Sequence, residues 1–204
     1  MKHALIRVVE WGQELLSEVI QPGDLVVDLT AGNGQDTLAL FQLVGKMGQV
    51  VALDVQPQAL LATRDRMVAG GAKVRLQQQD IQPLQCEPGI DLLEINHAEF
   101  AWIIPAAPQG IISNLGFLPG GDREFVTRPE STVLALEQSC SLLVAGGRLV
   151  VVVYPGHPGG AEEGAAVTHF FTELPSVDFQ VLQMKVSNRP EAPFLFVAEK
   201  TGLI

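Results

Sequence analysis

The sequence has few cysteines, few basic residues and no long apolar segment. Its two cysteines, Cys86 and Cys140, cannot build a disulfide framework or a four-thiolate zinc site, so we expect a reduced, cytoplasmic chain. The 13 basic residues against 23 acidic ones leave a net charge of -10, which excludes binding to polyphosphates through bulk positive charge. The longest apolar run, at 149–153, is far shorter than the roughly 20 residues of a membrane-spanning helix.

The composition and the pattern of apolar runs predict an α/β fold. The mean hydropathy of +0.25 indicates strands that are buried on both faces. Short runs rich in β-branched residues alternate with helical patterns, which predicts a mostly parallel, doubly wound sheet with helices on both faces. The last two runs, 179–186 and 194–199, predict a C-terminal antiparallel hairpin. We expect residues 1–204 to form a single domain, with an N-terminal helix within 1–22 packed on it.

The sharpest local pattern is a glycine-rich turn that follows the first predicted strand. Residues 28–37 read Asp-Leu-Thr-Ala-Gly-Asn-Gly-Gln-Asp-Thr and lead directly into a predicted helix. Gly32 and Gly34 let a ligand approach the backbone, and the start of the helix offers unpaired N–H donors. Asp54 ends the next predicted strand, where a carboxylate can accept both ribose hydroxyls of an adenosine.

Two cofactor classes use this arrangement, namely NAD(P) and S-adenosylmethionine. The dinucleotide pattern G-x-G-x-x-G needs a third glycine where this chain has Thr37. Asp28 and Asp36 place negative charge beside the turn, which suits a sulfonium amino acid better than a pyrophosphate. The pattern therefore favours a methyltransferase over a dehydrogenase, and a glycine turn without a ligand is the remaining alternative.

A second pattern follows the predicted strand at 110–114. Residues 114–122 read Asn-Leu-Gly-Phe-Leu-Pro-Gly-Gly-Asp, at the carboxyl edge where open parallel sheets bind ligands. The amide oxygen of Asn114 can accept a hydrogen bond from a substrate N–H, and Phe117 can stack on a planar base. His157 follows the next strand, where it either contacts the substrate or bonds to the backbone as a loop histidine.

These motifs, with Asp-x-Gln at 54–56 and Tyr-x-Gly-His-Pro-x-Gly at 154–160, resemble the MnmM (YtqB-like) methyltransferases, long described as rRNA methylases. The resemblance runs over nearly the whole chain. It implies a class I S-adenosylmethionine-dependent methyltransferase fold, Rossmann-like, with a seven-stranded sheet. It also implies methylation of the amine of 5-aminomethyl-2-thiouridine at the tRNA wobble position, which gives the 5-methylaminomethyl form.

The resemblance also implies which residues bind S-adenosylmethionine. The motif at 28–37 contributes Asn33 and Asp36, and the motif at 54–56 contributes Asp54 and Gln56. The family has a Ser-His pair after its third strand, and Asn96-His97 is the best match if that strand lies at 90–95. If the third strand lies at 73–76 instead, Asp80 comes near the adenine.

The reaction needs a group that orients the amine and another that handles its proton. Asn114 can only orient, because a neutral amide is not a useful base at neutral pH. Asp122 or His157 is the candidate for the proton, and we expect no metal. Arg123 and Arg128 can form a local positive rim for phosphates. A homodimer that completes the tRNA-binding surface is a hypothesis that no sequence feature tests.

Three alternatives stay open at the level of sequence. The same fold can methylate rRNA, a protein amide or a small amine. A site without turnover would make the chain a binding module for S-adenosylmethionine or RNA. A nicotinamide-dependent reductase is the most distant alternative.

Overall fold

The computed structural model describes residues 7–116 and 127–202 of the chain. Within these ranges, eight strands form one sheet in the order β3-β4-β2-β1-β5-β6-β8-β7. The strands are β1 (Leu25–Asp28), β2 (Gln49–Asp54), β3 (Val74–Gln77), β4 (Gly89–Glu94), β5 (Gly110–Asn114), β6 (Arg148–Val153), β7 (Phe179–Met184) and β8 (Phe194–Lys200). All pairs are parallel except β6–β8 and β8–β7, so the predicted C-terminal hairpin is confirmed.

Helices cover both faces of the sheet, as predicted. They are α1 (Val8–Ser17), α2 (Gln35–Val44), α3 (Pro57–Ala69), α4 (Pro129–Leu142) and α5 (Gly160–Glu173). Successive residues of a strand point to opposite faces, so Val150 and Val152 pack in the core under α1, α2 and α3. Val151 and Val153 pack in the other core, under α4 and α5. Every residue of β6 after the first is buried, which explains the high mean hydropathy.

The strand order forms a crevice at the carboxyl edge of the sheet. From β1 the chain crosses to β2 on one side and later returns to β5 on the other, so Asp28 is in register with both Ala52 and Ile112. At such a reversal the loops after the two central strands separate, and a ligand can enter between them. The loop after β1 and Asn114 at the end of β5 therefore lie side by side at this crevice.

The sheet has eight strands, one more than the seven that the resemblance implies. Both candidates for the third strand are strands, but β4 is the one that pairs with β2, whereas β3 pairs with β4 at the edge. Arg75 holds this extra strand in place, with its Nε 2.6 Å from Oδ1 of the buried Asp91. Asp80 follows the edge strand and is exposed outside the cavity, whereas Asn96 and His97 follow β4 and line it, so the structure favours the alternative with the third strand at 90–95.

The helices of the described residues include none that is both long and apolar enough to cross a membrane.

Candidate active site

A cavity of about 830 Å³ opens at the carboxyl edge of the sheet, between the loops that follow β1 and β5. This volume is within the range of small-molecule and cofactor sites. Nine of the residues predicted for the site line it: Gly32, Asn33, Asp36, Asp54, Gln56, Asn96, His97, Asn114 and His157. Motifs that are far apart in the sequence thus meet in one site, because parallel strands end at the same edge.

Two of the predicted cofactor-binding residues, Asp28 and Gly34, do not line the cavity but hold the glycine turn in its conformation. Asp28 is fully buried, and its carboxylate accepts hydrogen bonds from the Thr37 hydroxyl at 2.6 Å and the Thr30 amide at 3.1 Å. Gly34 directly precedes α2 as its N-cap residue and has a φ of +73°. A Cβ at this position would lie 2.9 Å from Oγ1 of Thr63. Both residues therefore shape the turn that a ligand would meet.

Phe117 and Asp122, predicted for stacking and for proton handling, lie outside the described residues.

Asp54 joins the glycine turn to the end of β2. Its Oδ2 accepts a hydrogen bond from the Gly32 amide at 3.0 Å, and its Oδ1 accepts one from the Gln56 amide at 2.9 Å. Burial raises the pKa of Asp54, while these backbone hydrogen bonds lower it. Each carboxylate oxygen keeps a second lone pair, so Asp54 can still accept the hydroxyls of a ribose.

Asn96 and His97 line the cavity directly after β4, as predicted. Oδ1 of Asn96 accepts a hydrogen bond from the Ala98 amide at 2.9 Å and starts a short 3₁₀ turn. Nε2 of His97 is buried and has no hydrogen-bond partner within the described ranges. Burial lowers the pKa of His97 to about 4, so the imidazole is neutral at physiological pH. A buried polar atom without a partner is costly, which is typical of a position that a ligand completes.

Asn114 is held by two hydrogen bonds, one through its backbone and one through its side chain. Its amide N–H donates to Oγ1 of Thr30 at 2.7 Å, and its Nδ2 donates to Oδ2 of Asp36 at 2.6 Å. The remaining polar atom, Oδ1, is buried and has no hydrogen-bond partner in the part of the chain that the structure describes. Asn114 therefore presents a fixed, unused acceptor at the cavity.

The cavity favours positive charge. Among the described residues, three acidic ones line it, Asp36, Asp54 and Glu191, against one basic residue, Arg128. Burial raises the pKa of Asp36, against hydrogen bonds from Gln13 and Asn114 that lower it. Such a lining suits a cationic ligand such as a sulfonium ion or an ammonium group.

The same acidic cluster extends into the core behind the cavity. Burial and, after it, the nearby Asp36 carboxylate together raise the pKa of Asp28 to about 7. The two carboxyl groups therefore influence each other's protonation.

His157 forms the backbone hydrogen bond of a loop histidine, while contact with the substrate, the other alternative, stays a prediction. It lines the cavity, and its Nδ1 donates to the carbonyl of Pro158 at 2.9 Å, as a loop histidine would. Its ring packs against the end of β5, because a Cβ on Gly116 would lie 3.3 Å from Nε2. A direct role in proton transfer stays a prediction.

Sequence reasoning missed several residues that shape this site. Gln13 on α1 donates from Nε2 to Oδ1 of Asp36 at 2.7 Å. Tyr154 and Glu191 line the cavity. Tyr154 could have been found by the rule that pointed to Asn114, because it directly follows β6. The sequence holds no comparable signal for Gln13, which comes from a helix outside the motifs.

The described residues include no cluster of three side chains that could hold a metal ion.

The fold and the cavity together define the protein as a methyltransferase of the class I S-adenosylmethionine-dependent fold. The family model described as "Putative rRNA methylase" matches residues 50–200, and the chain belongs to this family. A curated relative from Arabidopsis thaliana, named tRNA (mnm(5)s(2)U34)-methyltransferase, chloroplastic, is 35% identical over 197 residues. The alignment covers 93% of this chain and 68% of the relative.

Solved structures agree with this assignment. A Clostridium thermocellum protein with the same description as the family has a TM-score of 0.84 at 30% identity, covering 95% of this chain and 97% of its own. A Streptococcus mutans protein, solved in complex with SAH, has a TM-score of 0.79 at 30% identity, with coverage of 95% and 98%.

Proposed function

We propose that this protein is an S-adenosylmethionine-dependent N-methyltransferase that converts 5-aminomethyl-2-thiouridine to its 5-methylaminomethyl form at the tRNA wobble position. The observation that carries the proposal is the buried acceptor Oδ1 of Asn114, which has no hydrogen-bond partner among the described residues and lies at an acidic cavity. Family membership supports methyl transfer. The name of the Arabidopsis thaliana relative supports this nucleoside.

The residues of the cavity fit S-adenosylmethionine. Asp54 has free lone pairs for the ribose hydroxyls. The buried Nε2 of His97 has no hydrogen-bond partner among the residues that the structure describes, and the adenine can provide one. Asn33 and Gln56 line the same part of the cavity. Acidic side chains suit both positive groups of the cofactor, its sulfonium and its amino group. The homologous structure in complex with SAH supports this assignment.

Asn114 can orient the amine once the ammonium ion has lost a proton to solvent. Bound S-adenosylmethionine supplies a methyl group on a positively charged sulfur, which takes back the electron pair of the broken C–S bond. Oδ1 of Asn114 accepts one N–H of the neutral amine, which leaves the nitrogen lone pair free to form the new N–C bond. The nitrogen then carries one proton too many, and His157 or Asp122 is the proposed acceptor of that proton.

Charge at the cavity favours an amine over a protein amide. A protein amide carries no positive charge, whereas an aminomethyl group is mostly an ammonium ion at neutral pH and is attracted by Asp36 and Glu191. Arg128 is exposed at the cavity and can contact a phosphate, in line with the predicted rim. Its predicted neighbour Arg123 lies outside the described residues. A homodimer and a cytoplasmic location stay predictions.

The decisive experiment uses tRNA that carries 5-aminomethyl-2-thiouridine. The purified protein is incubated with this tRNA and S-adenosylmethionine. The tRNA is then digested to nucleosides, and their masses are measured by mass spectrometry. We expect a gain of one methyl group on that nucleoside. Asn114→Ala should abolish the gain while cofactor binding persists, and Asn188→Ala, an exposed asparagine outside the cavity, is the matched control.

Each other outcome points to a named alternative. Cofactor binding without methylation of this tRNA would overturn the assignment of substrate and direct the search to rRNA, proteins and small amines. Binding without turnover on any of these would indicate a non-catalytic module. No binding at all would contradict the methyltransferase.

A further inference from the structure

Gln13 reaches the active site from α1, a helix that carries none of the recognised motifs. The helix packs directly on the sheet, because a Cβ on Gly12 would lie only 2.8 Å from Cγ1 of Val150. This close approach places the next residue beside the cavity, where Nε2 of Gln13 donates to Oδ1 of Asp36 at 2.7 Å. Gln13 is half-buried and does not itself line the cavity.

Asp36 connects Gln13 to Asn114. One of its oxygens accepts from Gln13, and the other accepts from Nδ2 of Asn114 at 2.6 Å. A carboxylate can only accept, so the part of the Asn114 amide that faces it must be the NH₂ group. The amide oxygen is then turned away from Asp36, and this is the atom that has no partner within the described residues.

The direction of the Asn114 amide thus depends on how Asp36 is held. Asp36 is 9% exposed, and Gln13 and Asn114 are the two side chains whose hydrogen bonds to it the structure records. Without the donor at position 13, the Asp36 carboxylate can rotate, or it can take up a proton and become a donor itself. Either change weakens the constraint that points Oδ1 of Asn114 toward a ligand.

We infer that Gln13 is a positioning residue, which acts through Asp36 to hold the acceptor oxygen of Asn114 toward the substrate nitrogen. The inference rests on the proposed function insofar as that nitrogen is an amine. It assigns to α1 a part in methyl transfer that helix packing alone would not give it.

The test replaces Gln13 by methionine, which keeps the length and helix propensity of the side chain but removes its donor. We expect kcat to fall roughly tenfold, as for a lost hydrogen bond to a charged group, and the dissociation constant of S-adenosylmethionine to change less than kcat does. Gln13→Glu, which places a second carboxylate against Asp36, should reduce kcat further. Gln21→Met makes the same change at an exposed position after α1 and should match the wild type.

A second measurement needs no substrate. The side-chain NH₂ signals of Asn114 in a ¹⁵N-labelled protein can be assigned by their loss in Asn114→Ala. In the wild type they should exchange slowly with solvent, and in Gln13→Met they should shift and exchange faster. A role in packing alone would lower the melting temperature but leave these signals unchanged.

The two measurements separate failure of the inference from failure of the proposed function. If the wild type methylates the tRNA and Gln13→Met equals it in kcat and in the Asn114 signals, the inference is overturned. A lower kcat with unchanged Asn114 signals also overturns it. If the wild type shows no turnover while the signals respond to Gln13→Met, the linkage stands and the proposed substrate fails.

Discussion

The buried carboxylate of Glu163 accepts a hydrogen bond of 2.8 Å from the hydroxyl of Thr127. The Thr127 hydroxyl also accepts from the Gly116 amide at 2.9 Å, and the Thr127 amide donates back to the Gly116 carbonyl at 3.1 Å. The other oxygen of Glu163 accepts from the hydroxyl of Thr132 at 2.6 Å. Through these bonds α5 fixes the chain just after Asn114.

Glu163→Ala should therefore weaken both the fold and the reaction. The change leaves two hydroxyl groups without their acceptor in a buried place, which should lower the free energy of unfolding by about 2 kcal/mol. Turnover should fall roughly tenfold as Gly116 and its neighbour Asn114 lose their support. Urea unfolding and the methylation assay measure the two effects.

The neighbouring glutamate provides the control for this prediction. Glu162 lies in the same first turn of α5 but is exposed, and both glutamates suit the positive end of a helix equally well. Glu162→Ala should change the free energy of unfolding by less than about 0.5 kcal/mol. Equal effects of the two substitutions would show that Glu163 serves only the helix terminus.

Asp54→Ala should weaken cofactor binding more than it weakens the fold. The substitution removes the acceptor that ties the Gly32 amide to the end of β2, together with the lone pairs proposed for the ribose. We expect the dissociation constant of S-adenosylmethionine to rise roughly tenfold to a hundredfold, for the loss of hydrogen bonds to a charged group. Calorimetric titration measures it, and the exposed Asp65→Ala on α3 is the control. An unchanged dissociation constant would remove Asp54 from the cofactor site.

The sequence was sufficient to predict the parts of the fold and site that depend on local signals. The glycine turn correctly marked the start of α2, and Pro57 lies at the first residue of α3, where proline is favoured. Residues that follow the strands, such as Asn114 and His97, could be placed at one edge because parallel strands end together. These inferences need only the order of the strands.

Contacts between distant segments could not be predicted in this way. Glu162 and Glu163 look alike in sequence, and only the packing of α5 against α4 buries one of them. Gln13 depends on how closely α1 approaches the sheet. The extra edge strand, β3, depends on the ion pair between its Arg75 and Asp91 of the neighbouring strand β4. In each case the deciding interaction joins residues for which the sequence gives no register.

His97 should remain neutral over the pH range in which an exposed histidine titrates. Burial lowers its pKa to about 4, so its imidazole NMR signals should stay constant from about pH 8 to 5. As the pH falls from 6.5 toward 4, His97 binds a proton in the unfolded chain but not yet in the folded one. Over this range His97 therefore lowers the stability of the folded protein. His97→Gln should reduce that loss and weaken cofactor binding, and the exposed His169→Gln should do neither. Titration of His97 near its ordinary pKa would contradict its burial beside the cavity.

Asp28 should make the protein less stable as the pH rises. Burial raises its pKa from 3.8 to about 7, so the folded chain holds this proton more tightly than the unfolded chain does. The free energy of unfolding therefore decreases as the pH rises from the lower to the higher of these two pKa values. Above the higher value, the total loss is roughly 1.4 kcal/mol for each unit by which the two pKa values differ. Asn at this position can still accept from the Thr30 amide and donate to the Thr37 hydroxyl, but it carries no charge.

Asp28→Asn should therefore match the wild type in stability near about pH 4 and exceed it increasingly up to about pH 8. Urea unfolding at several pH values measures the difference, with the exposed Asp65→Asn as the control for loss of a charge. Because Asp28 and Asp36 influence each other's protonation, the stabilisation should shrink in an Asp36→Asn background. A difference between wild type and Asp28→Asn that stays constant with pH would mean that Asp28 has the same pKa in the folded and the unfolded chain, and that its carboxyl group is ionised behind the cavity at neutral pH.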